Sequence, residues 1–395
     1  MLSSFNFDSP DYKADPFPYY ARMREEGLSR LEPGGFLAVS RHADVVAIFR
    51  DPDVFKASGL RRSLEPAWLG PHPCTKTMHS LDPPEHTKKR SLVSTAFTPS
   101  VLERTAPLLR ALVDSVVGCF AARGEVEFVT EVATPLTAGA IGHFLSLDPR
   151  LHAKCKEWSD GYLSITPAPR SPQHEATVRT ALDEMLRYFT SVIEERRRSP
   201  GDDLVSGLAR AEIDGERLTE PELVGFLAML LVGGMETTAN MLSRSMLMLA
   251  ERPDLLDRLR ADPALVPAFV NEMLRYDPSS HGMPRFVARD TEIAGHAVPA
   301  GTSVVLMLAS ANRDPLQFPA PDVFDMTRDT RGMVSFGHGI HACIGMALTK
   351  LQARLALGEL CTRFRRFELV EPTIEWTHTV IVRGPTRLKL RGVLA

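Results

Sequence analysis

A short loop late in the chain combines three glycines with one cysteine: Phe336-Gly-His-Gly-Ile-His-Ala-Cys343-Ile-Gly345. The residues that follow, from Met346, have the apolar spacing of a helix, so the loop opens a helix. At that position unpaired backbone N–H groups and the positive end of the helix dipole favour a thiolate. The glycines let the backbone come close to whatever the sulfur binds. Composition alone also allows a buried cysteine in a glycine-rich turn.

A second candidate site lies in a long apolar segment that begins at Thr219. Thr219 is an N-cap candidate, Pro221 lies in the first turn and Glu222 takes the capping-box position. About 30 residues of helical pattern follow, roughly 45 Å of helix. The segment is apolar on nearly all sides and therefore belongs in the protein interior. The polar residues Glu236 and Thr237 nevertheless follow two glycines there, and they either perform chemistry or bond to their own helical turn.

The spacing of the cysteine loop resembles the haem-ligand loop of the cytochrome P450 family, in which Phe, Gly, a basic residue, Cys and Gly occur at fixed intervals. The matching residues are Phe336, Gly339, His341, Cys343 and Gly345, with Gly337 also in the loop. The resemblance implies that Cys343 is the axial thiolate of haem b, iron protoporphyrin IX, and donates electron density that favours O–O cleavage. It also implies that His341 lies beside a haem propionate.

The long helix also resembles that family, whose Gly-x-acid-Thr segment bends over the distal haem face. Gly234, Glu236 and Thr237 match that pattern, with Gly233 beside them. The resemblance implies space for dioxygen at the glycines, with Gly233 against the cofactor. It implies an acid and an alcohol for proton delivery at Glu236 and Thr237.

Three basic residues are candidates for binding the propionates. His86 and Arg90 are four residues apart on a helix predicted to start near Pro84, so both project from one face. Two cations on one face repel each other unless an anion lies between them, and the resemblance implies that a propionate supplies it. Arg285 matches a third propionate partner. For any one basic residue, a solvated surface position is the alternative.

Glu272 and Arg275 are three residues apart on a predicted helix and can form an ion pair. Taken alone, such a pair is usually solvated and contributes little. The resemblance to the family's Glu-x-x-Arg implies a buried pair that ties the core around the haem. The segments 312–315 and 324–328 are expected to have structural roles.

The predicted fold class is mainly α with small β-sheets, the cytochrome P450 fold, as a single catalytic domain over residues 1–395. Short strands are predicted at Gly35–Val39 and within Arg285–Leu308, and a terminal hairpin over Val380–Leu390. The proline-rich segment Ile165–Pro172 is predicted to be an exposed loop, either a lid or a plain helix connection.

Composition and charge exclude several classes of protein. A net charge of −3, from 46 basic and 49 acidic residues, gives no basic field for nucleic acid. No uninterrupted apolar run reaches the length of a membrane span, and the first residues lack signal-peptide features, so a cytoplasmic protein without a membrane partner is expected. The five cysteines contain no CxxC pair, which argues against a zinc cluster or a disulfide framework.

The resemblance, which covers nearly the whole chain, implies a monooxygenase that inserts one atom of O₂ into a small lipophilic substrate by hydroxylation or epoxidation. Electrons are expected from NAD(P)H through ferredoxin reductase and ferredoxin, since no stretch resembles a redox module. A peroxide-driven peroxygenase and a non-catalytic haem sensor or carrier are the alternatives. The predicted substrate pocket is largely apolar, although each member suits an ordinary core equally: Trp68, Met78, Met229, His281, Met283, Val380 and Ile381. A basic patch for an acidic ferredoxin is expected at Lys88, Lys89, Lys350 and Arg354.

Overall fold

The computed structural model describes residues 2–97, 99–145, 147–166, 170–377 and 379–395. Helices dominate this part of the chain, which confirms the predicted fold class. Their bounds are α1 (Pro10–Ala14), α2 (Phe17–Glu26), α3 (His42–Arg50), α4 (Leu60–Leu64), α5 (Glu85–Ser94), α6 (Pro99–Arg123), α7 (Thr134–Phe144), α8 (His152–Leu163), α9 (Pro172–Arg198), α10 (Leu204–Arg210), α11 (Glu220–Glu251), α12 (Pro253–Ala261), α13 (Val266–Tyr276), α14 (Leu308–Ala311) and α15 (Met346–Arg363).

The strands are short, as predicted. Their bounds are β1 (Ser4–Asn6), β2 (Leu28–Glu32), β3 (Phe36–Val39), β4 (Phe55–Lys56), β5 (Glu125–Glu127), β6 (Met283–Val287), β7 (Thr291–Ile293), β8 (His296–Val298), β9 (Ser303–Leu306), β10 (Phe364–Leu369) and β11 (Lys389–Leu394). They form a mixed sheet in the order β1-β2-β3-β9-β6-β4, an antiparallel sheet β10-β11-β5 and the antiparallel pair β7-β8.

Contacts divide the chain into two compact units. The first comprises the described residues of Met1–Lys56, Val113–Ala133 and Thr237–Ala395, and it contains all three of these sheets. The second comprises those of Ala57–Leu112 and Thr134–Glu236 and is helical. Helices α6 and α11 each contribute residues to both units. The expectation of a single catalytic domain stays a prediction.

The core of the first unit forms where α3 packs against the mixed sheet. Val45, Ile48 and Phe49 of α3 are buried together with Val39 of β3 and Val304 of β9. The alternating strand pattern and the helical spacing direct these apolar side chains to one side of each element, so their burial fixes α3 on the sheet. This packing matters for the candidate site, because Phe49 also lies close to the glycines of the cysteine loop.

The predicted terminal hairpin over Val380–Leu390 is wrong. No strand is assigned within the described residues 379–388, where Val382 and Pro385 form only isolated bridges with Ser280 and Trp376. The last strand, β11, pairs antiparallel with β10 and with β5. The reason is that these distant strands, and not the adjacent segment, complete its hydrogen bonding.

Within the described part of the chain, two helices are long and apolar enough to cross a membrane, Ser100–Arg123 and Glu220–Glu251. Neither helix is an uninterrupted apolar run, but the most apolar 18 residues of each carry at most two charged side chains. The most apolar window is 61% buried in Glu220–Glu251 and 28% buried in Ser100–Arg123. The core helix of a soluble protein has the same length and apolar composition. The absence of a membrane partner stays a prediction.

The proline-rich loop falls between two helices. Helix α8 ends at Leu163 and α9 begins at Pro172, with the Ser171 hydroxyl accepting the His174 N–H at 3.1 Å as an N-cap. Residues 167–169 of the predicted loop lie outside the described residues, so its role as a lid stays a prediction.

Candidate active site

The cysteine loop presents its thiol at the start of α15, as the sequence predicts. The Cys343 N–H donates to the Phe336 carbonyl at 2.8 Å and closes the loop. Gly337 and Gly339 have φ of +70° and +68°, a left-handed conformation that favours glycine. Cys343 is exposed and comes three residues before Met346, the first residue of α15. The thiol therefore lies at the positive end of an 18-residue helix.

The other cysteines are less suited to act as a thiolate ligand. Cys74, Cys155 and Cys361 are buried, and burial raises the pKa of each thiol to about 12. They are therefore neutral thiols near pH 7. Cys119 is exposed but lies within α6, far from the N-terminal end of that helix. Of the two exposed cysteines, Cys343 is the one that lies in a glycine-rich loop.

The segment that enters the loop is anchored by Asn312. Its Oδ1 accepts the Val334 N–H at 2.8 Å, and its Nδ2 donates to the Ser335 hydroxyl at 2.7 Å. Ser335 in turn donates to the Leu274 carbonyl at 2.6 Å. The Arg275 Nη1 donates to the Asn312 carbonyl at 2.9 Å. These buried bonds connect the cysteine loop to α13 and support the structural role expected for the 312–315 segment.

Glu272 and Arg275 form the expected ion pair, and it is buried. Two hydrogen bonds of 2.7 and 2.8 Å join the guanidinium to the carboxylate, and the side chains are 0% and 1% exposed. The Glu272 Oε1 also accepts from Arg328 Nε at 3.2 Å and from the Asp325 N–H at 3.0 Å. The solvated alternative is wrong because water does not reach either side chain. The relation of the pair to haem stays a prediction.

Phe49 lies beside both Arg285 and the cysteine loop. The Arg285 guanidinium lies 5.3 Å from the centre of its ring. A Cβ at Gly339 would lie 3.0 Å from the Phe49 carbonyl oxygen, and one at Gly337 would lie 3.8 Å from its ring. Phe49 therefore sets the distance of the cysteine loop from α3. Its ring also packs against Arg285, the predicted propionate partner. His341 lies half-buried in the same loop. No local sequence signal marks Phe49, because its neighbours are distant in the chain.

In the second unit, α5 begins at Glu85, in agreement with the predicted start near Pro84. His86 is buried and Arg90 is half-buried, one helical turn apart. The predicted basic patch stays a prediction, and the two lysines of this helix have acidic neighbours. Lys88 forms an ion pair with Glu216 at 2.5 Å, and Lys89 forms one with Glu222, so acidic partners offset both charges.

Helix α11 begins as its capping signals predict. The Glu222 carboxylate accepts the Thr219 N–H at 2.9 Å, which is one half of a capping box. The two glycines further along have different surroundings. A Cβ at Gly234 would lie 3.0 Å from the Ile141 Cδ1, so this glycine permits close packing of α11 on α7. A Cβ at Gly233 would meet nothing within 4 Å, so open space lies beside it.

Glu236 and Thr237 follow consecutively on α11, and both are half-buried. The helix is continuous through the glycines and these two residues. The Thr237 carbonyl accepts a hydrogen bond from the Ser279 hydroxyl at 2.7 Å. No local sequence pattern marks Ser279, which lies 42 residues away along the chain.

The predicted pocket residues have varied surroundings. Four of them, Met78, Met229, Met283 and Val380, are half-buried. Ile381 is 38% exposed. Trp68 is half-buried and its indole N–H donates to the Thr166 carbonyl at 2.9 Å. These residues stay predicted pocket members.

The pocket role predicted for His281 is wrong. The side chain is 2% exposed, and its Nδ1 and Nε2 lie 2.8 Å from the Tyr20 hydroxyl and 3.2 Å from Arg244 Nη1. Burial, followed by the charge of Arg244, lowers the pKa of His281 well below its usual value. The neutral ring accepts from Arg244 at Nε2, which places its proton on Nδ1 towards Tyr20. Its polar atoms are thus committed to a buried network and not to a substrate.

Comparisons with known proteins extend over most of the chain. The cytochrome P450 family model matches residues 162–390. The cytochrome P450 monooxygenase PikC of Streptomyces venezuelae is 36% identical over 391 residues, which cover 96% of this chain and 92% of PikC. The solved structure of cytochrome P450 CYP109Q5 from Chondromyces apiculatus has a TM-score of 0.91 and 34% identity, and covers 100% of both chains. CYP109E1 from Bacillus megaterium, solved in complex with testosterone, has a TM-score of 0.85 and 28% identity over 96% of this chain and 99% of that one.

Proposed function

Since this chain belongs to the cytochrome P450 family and is a monooxygenase with a haem iron cofactor, we propose that Cys343 is the thiolate ligand of haem b in it. The observation that carries this proposal is the exposed Cys343 thiol at the start of α15. Three of the other cysteines are held neutral by burial, and Cys119 lies within a helix. Cys343 thus combines exposure with a helix terminus that stabilises negative charge.

The donor set fits a haem that carries two propionates. In the first unit, a soft sulfur ligand occurs together with the basic side chains of Arg285 and His341. In the second unit, His86 and Arg90 project from one face of α5. We propose that these four side chains bind the propionates, and that Phe336, Gly337 and Gly345 form the loop surface against the porphyrin.

On the distal side, we assign Gly233, Glu236 and Thr237 to oxygen activation. The haem iron, when bound, supplies the centre at which O₂ is activated. Gly233 contributes space, because nothing lies within 4 Å of where its Cβ would be. Thr237 Oγ1 delivers a proton into the pocket. The Glu236 carboxyl group then returns a proton to that hydroxyl and is itself reprotonated from solvent.

We propose a small lipophilic substrate, oxidised by hydroxylation or epoxidation. The side chains of Met78, Met229 and Met283 are flexible and polarisable and suit an adaptable apolar pocket. CYP109E1 was solved with a steroid bound, which supports a guest of comparable size and polarity. Trp68, Val380 and Ile381 complete the proposed lining.

Electrons come from separate proteins in this proposal, with NAD(P)H reducing a ferredoxin reductase and ferredoxin delivering electrons singly. The enzyme is placed in the cytoplasm, where NAD(P)H is available, with neither nucleic acid nor a membrane as partner. Residues 1–395 form one catalytic domain, since α6 and α11 each contribute residues to both compact units.

The ligand assignment is tested by Cys343→His. The variant is expected to keep haem, because imidazole binds haem iron, and to lose the thiolate-type red-shifted Soret band of the reduced CO adduct. Product formation should also collapse. The matched control is Cys119→Ser, which removes an exposed thiol elsewhere and should keep the band. A Cys343→His protein with the wild-type band would assign the ligand to another cysteine.

The same preparation separates the proposed function from its alternatives. Product formation that requires NAD(P)H and redox partners supports the monooxygenase. Turnover with hydrogen peroxide alone, at an equal or greater rate, would instead support a peroxygenase. A protein that binds haem but oxidises no member of a lipophilic compound library under either condition would be a sensor or carrier.

A further inference from the structure

A residue outside α11, Ser279, forms a hydrogen bond with the backbone of this helix beside the proposed proton relay. The Ser279 hydroxyl donates to the Thr237 carbonyl at 2.7 Å. Ser279 follows α13 and is 6% exposed. By contrast, the Ser245 hydroxyl on α11 donates to the Met241 carbonyl of its own helix at 2.8 Å. The Ser279 bond instead joins a distant segment to the backbone of the relay residue.

The backbone around Ser279 is itself fixed. The Arg383 N–H donates to the Ser279 carbonyl at 2.8 Å. Arg244 Nη1 donates to the Pro278 carbonyl at 3.2 Å, and its Nε donates to Asp277 Oδ2 at 2.7 Å. Because the backbone is held at the Pro278 and Ser279 carbonyls, the Cβ from which the Ser279 hydroxyl projects has a defined position. The bond therefore constrains the α11 carbonyl rather than following its motion.

The contacts on α11 in this region share one face of the helix. Thr237 meets Ser279, and Arg244 meets Asp277 and Pro278 seven residues later. Between them, a Cβ at Gly384 would lie 2.1 Å from Asn240 Oδ1, so the backbone of Gly384 packs directly against Asn240. The side chains of Asn240 and Arg244 are four residues apart and project to one side of the helix, whereas the contact of Thr237 with Ser279 is made through its carbonyl. This face is thus held against the segments 277–279 and 383–384, beginning at the relay residue.

We propose that Ser279 is a positioning residue for the Thr237 hydroxyl. A peptide unit is planar, so a hydrogen bond that fixes the Thr237 carbonyl also restricts the backbone torsion beside its Cα and the direction of its Cβ. A helical threonine populates two rotamers, one of which allows Oγ1 to bond to the preceding turn. Ser279 selects the backbone orientation in which Oγ1 points to the pocket. The proposal rests on the proton-delivery role proposed for Thr237.

The test compares Ser279→Ala with Ser245→Ala in the holoenzyme. Both changes remove a buried serine hydroxyl that donates to an α11 carbonyl. Ser279→Ala should lower the ratio of product formed to NAD(P)H consumed by about fivefold, the effect of one ordinary hydrogen bond, with hydrogen peroxide making up the difference. Ser245→Ala should keep the wild-type ratio. Ser279→Thr, which retains the hydroxyl, should restore coupling.

Two further measurements distinguish positioning from a general loss of stability. A crystal structure of substrate-free Ser279→Ala should show the Thr237 side chain distributed between two rotamers, with substrate affinity measured in solution unchanged. If Ser279→Ala does not fold, Ser279→Cys keeps the volume with a weaker donor and should give an intermediate ratio. One Thr237 rotamer together with wild-type coupling in either variant would overturn the proposal.

The double variant Thr237→Ala with Ser279→Ala separates this proposal from the one on which it rests. If Ser279 acts through Thr237, the double variant should couple no worse than Thr237→Ala alone. If the losses of coupling in the two single variants multiply in the double variant, Ser279 acts by another route. If Thr237→Ala itself keeps wild-type coupling, the relay and the positioning role both fail. If Thr237→Ala uncouples and Ser279→Ala does not, only the positioning role fails.

Discussion

Replacing Glu272 by glutamine removes one charge from the buried pair on α13 while keeping the side-chain volume. The carboxylate accepts two hydrogen bonds from Arg275, and neither side chain reaches water. Breaking a buried ion pair by removing one partner costs about 3–5 kcal/mol. Arg275 keeps its bond to the Asn312 carbonyl at 2.9 Å, and the amide oxygen can still accept. We therefore expect the lower end, about 3 kcal/mol, or roughly a 150-fold shift of the unfolding equilibrium.

The matched control is Glu371→Gln, in an ion pair with Arg387 at 2.9 Å. There the side chains are 43% and 57% exposed, and exposed pairs contribute about 0–1 kcal/mol. Both variants and the wild type are unfolded with guanidinium at pH 7 as holoenzymes, and the midpoint and slope give the free energy of unfolding. Haem content is read from the same samples and should fall in Glu272→Gln. Free energies of the two variants within about 1 kcal/mol of each other, at equal slopes, would refute the burial argument.

Two further predictions concern charges near the ends of helices. Lys350 is half-buried on α15, and burial, followed by the charge of Arg354, lowers its pKa. Lys350→Glu with Arg354→Glu should slow the first electron transfer from an acidic ferredoxin at low ionic strength, and stopped-flow rates should converge with wild type near 0.15 M salt; equal rates at low salt would place the docking surface elsewhere. At Glu222, burial raises the pKa, but hydrogen bonds from Lys89 and Thr219 outweigh this effect and leave the pKa lowered. The contribution of Glu222 to the free energy of unfolding is therefore present above its unfolded pKa and lost as pH falls through its folded pKa. Glu222→Gln should thus cost about 1 kcal/mol of unfolding free energy at pH 6–8, a difference that narrows below about pH 4.5; a constant difference down to pH 3.5 would contradict this.

The local sequence determined the elements and the candidate ligand loop. The helix that follows the cysteine loop and the start of α5 were both predictable from local patterns. The capping signals at Thr219 and Glu222 place the start of α11 within one residue of the observed Glu220. Caps, turns and apolar spacing act over a few residues, so the residues that decide them are adjacent in the chain. The spacing around Cys343 also identified the family before any tertiary contact was known.

Only the tertiary structure decided pairing and burial. Local pattern predicted a hairpin near Gly384, whereas β11 pairs with β10 and β5. Spacing alone could not show that Glu272 is buried, that His281 bonds to Tyr20 and Arg244, or that Ser279 meets Thr237. Each of these contacts joins segments that are distant in sequence, except the pair on α13, whose burial depends on the elements packed around it. A residue's type and spacing fix what it can bond to, but the folded chain decides which partner comes within reach and whether water is excluded.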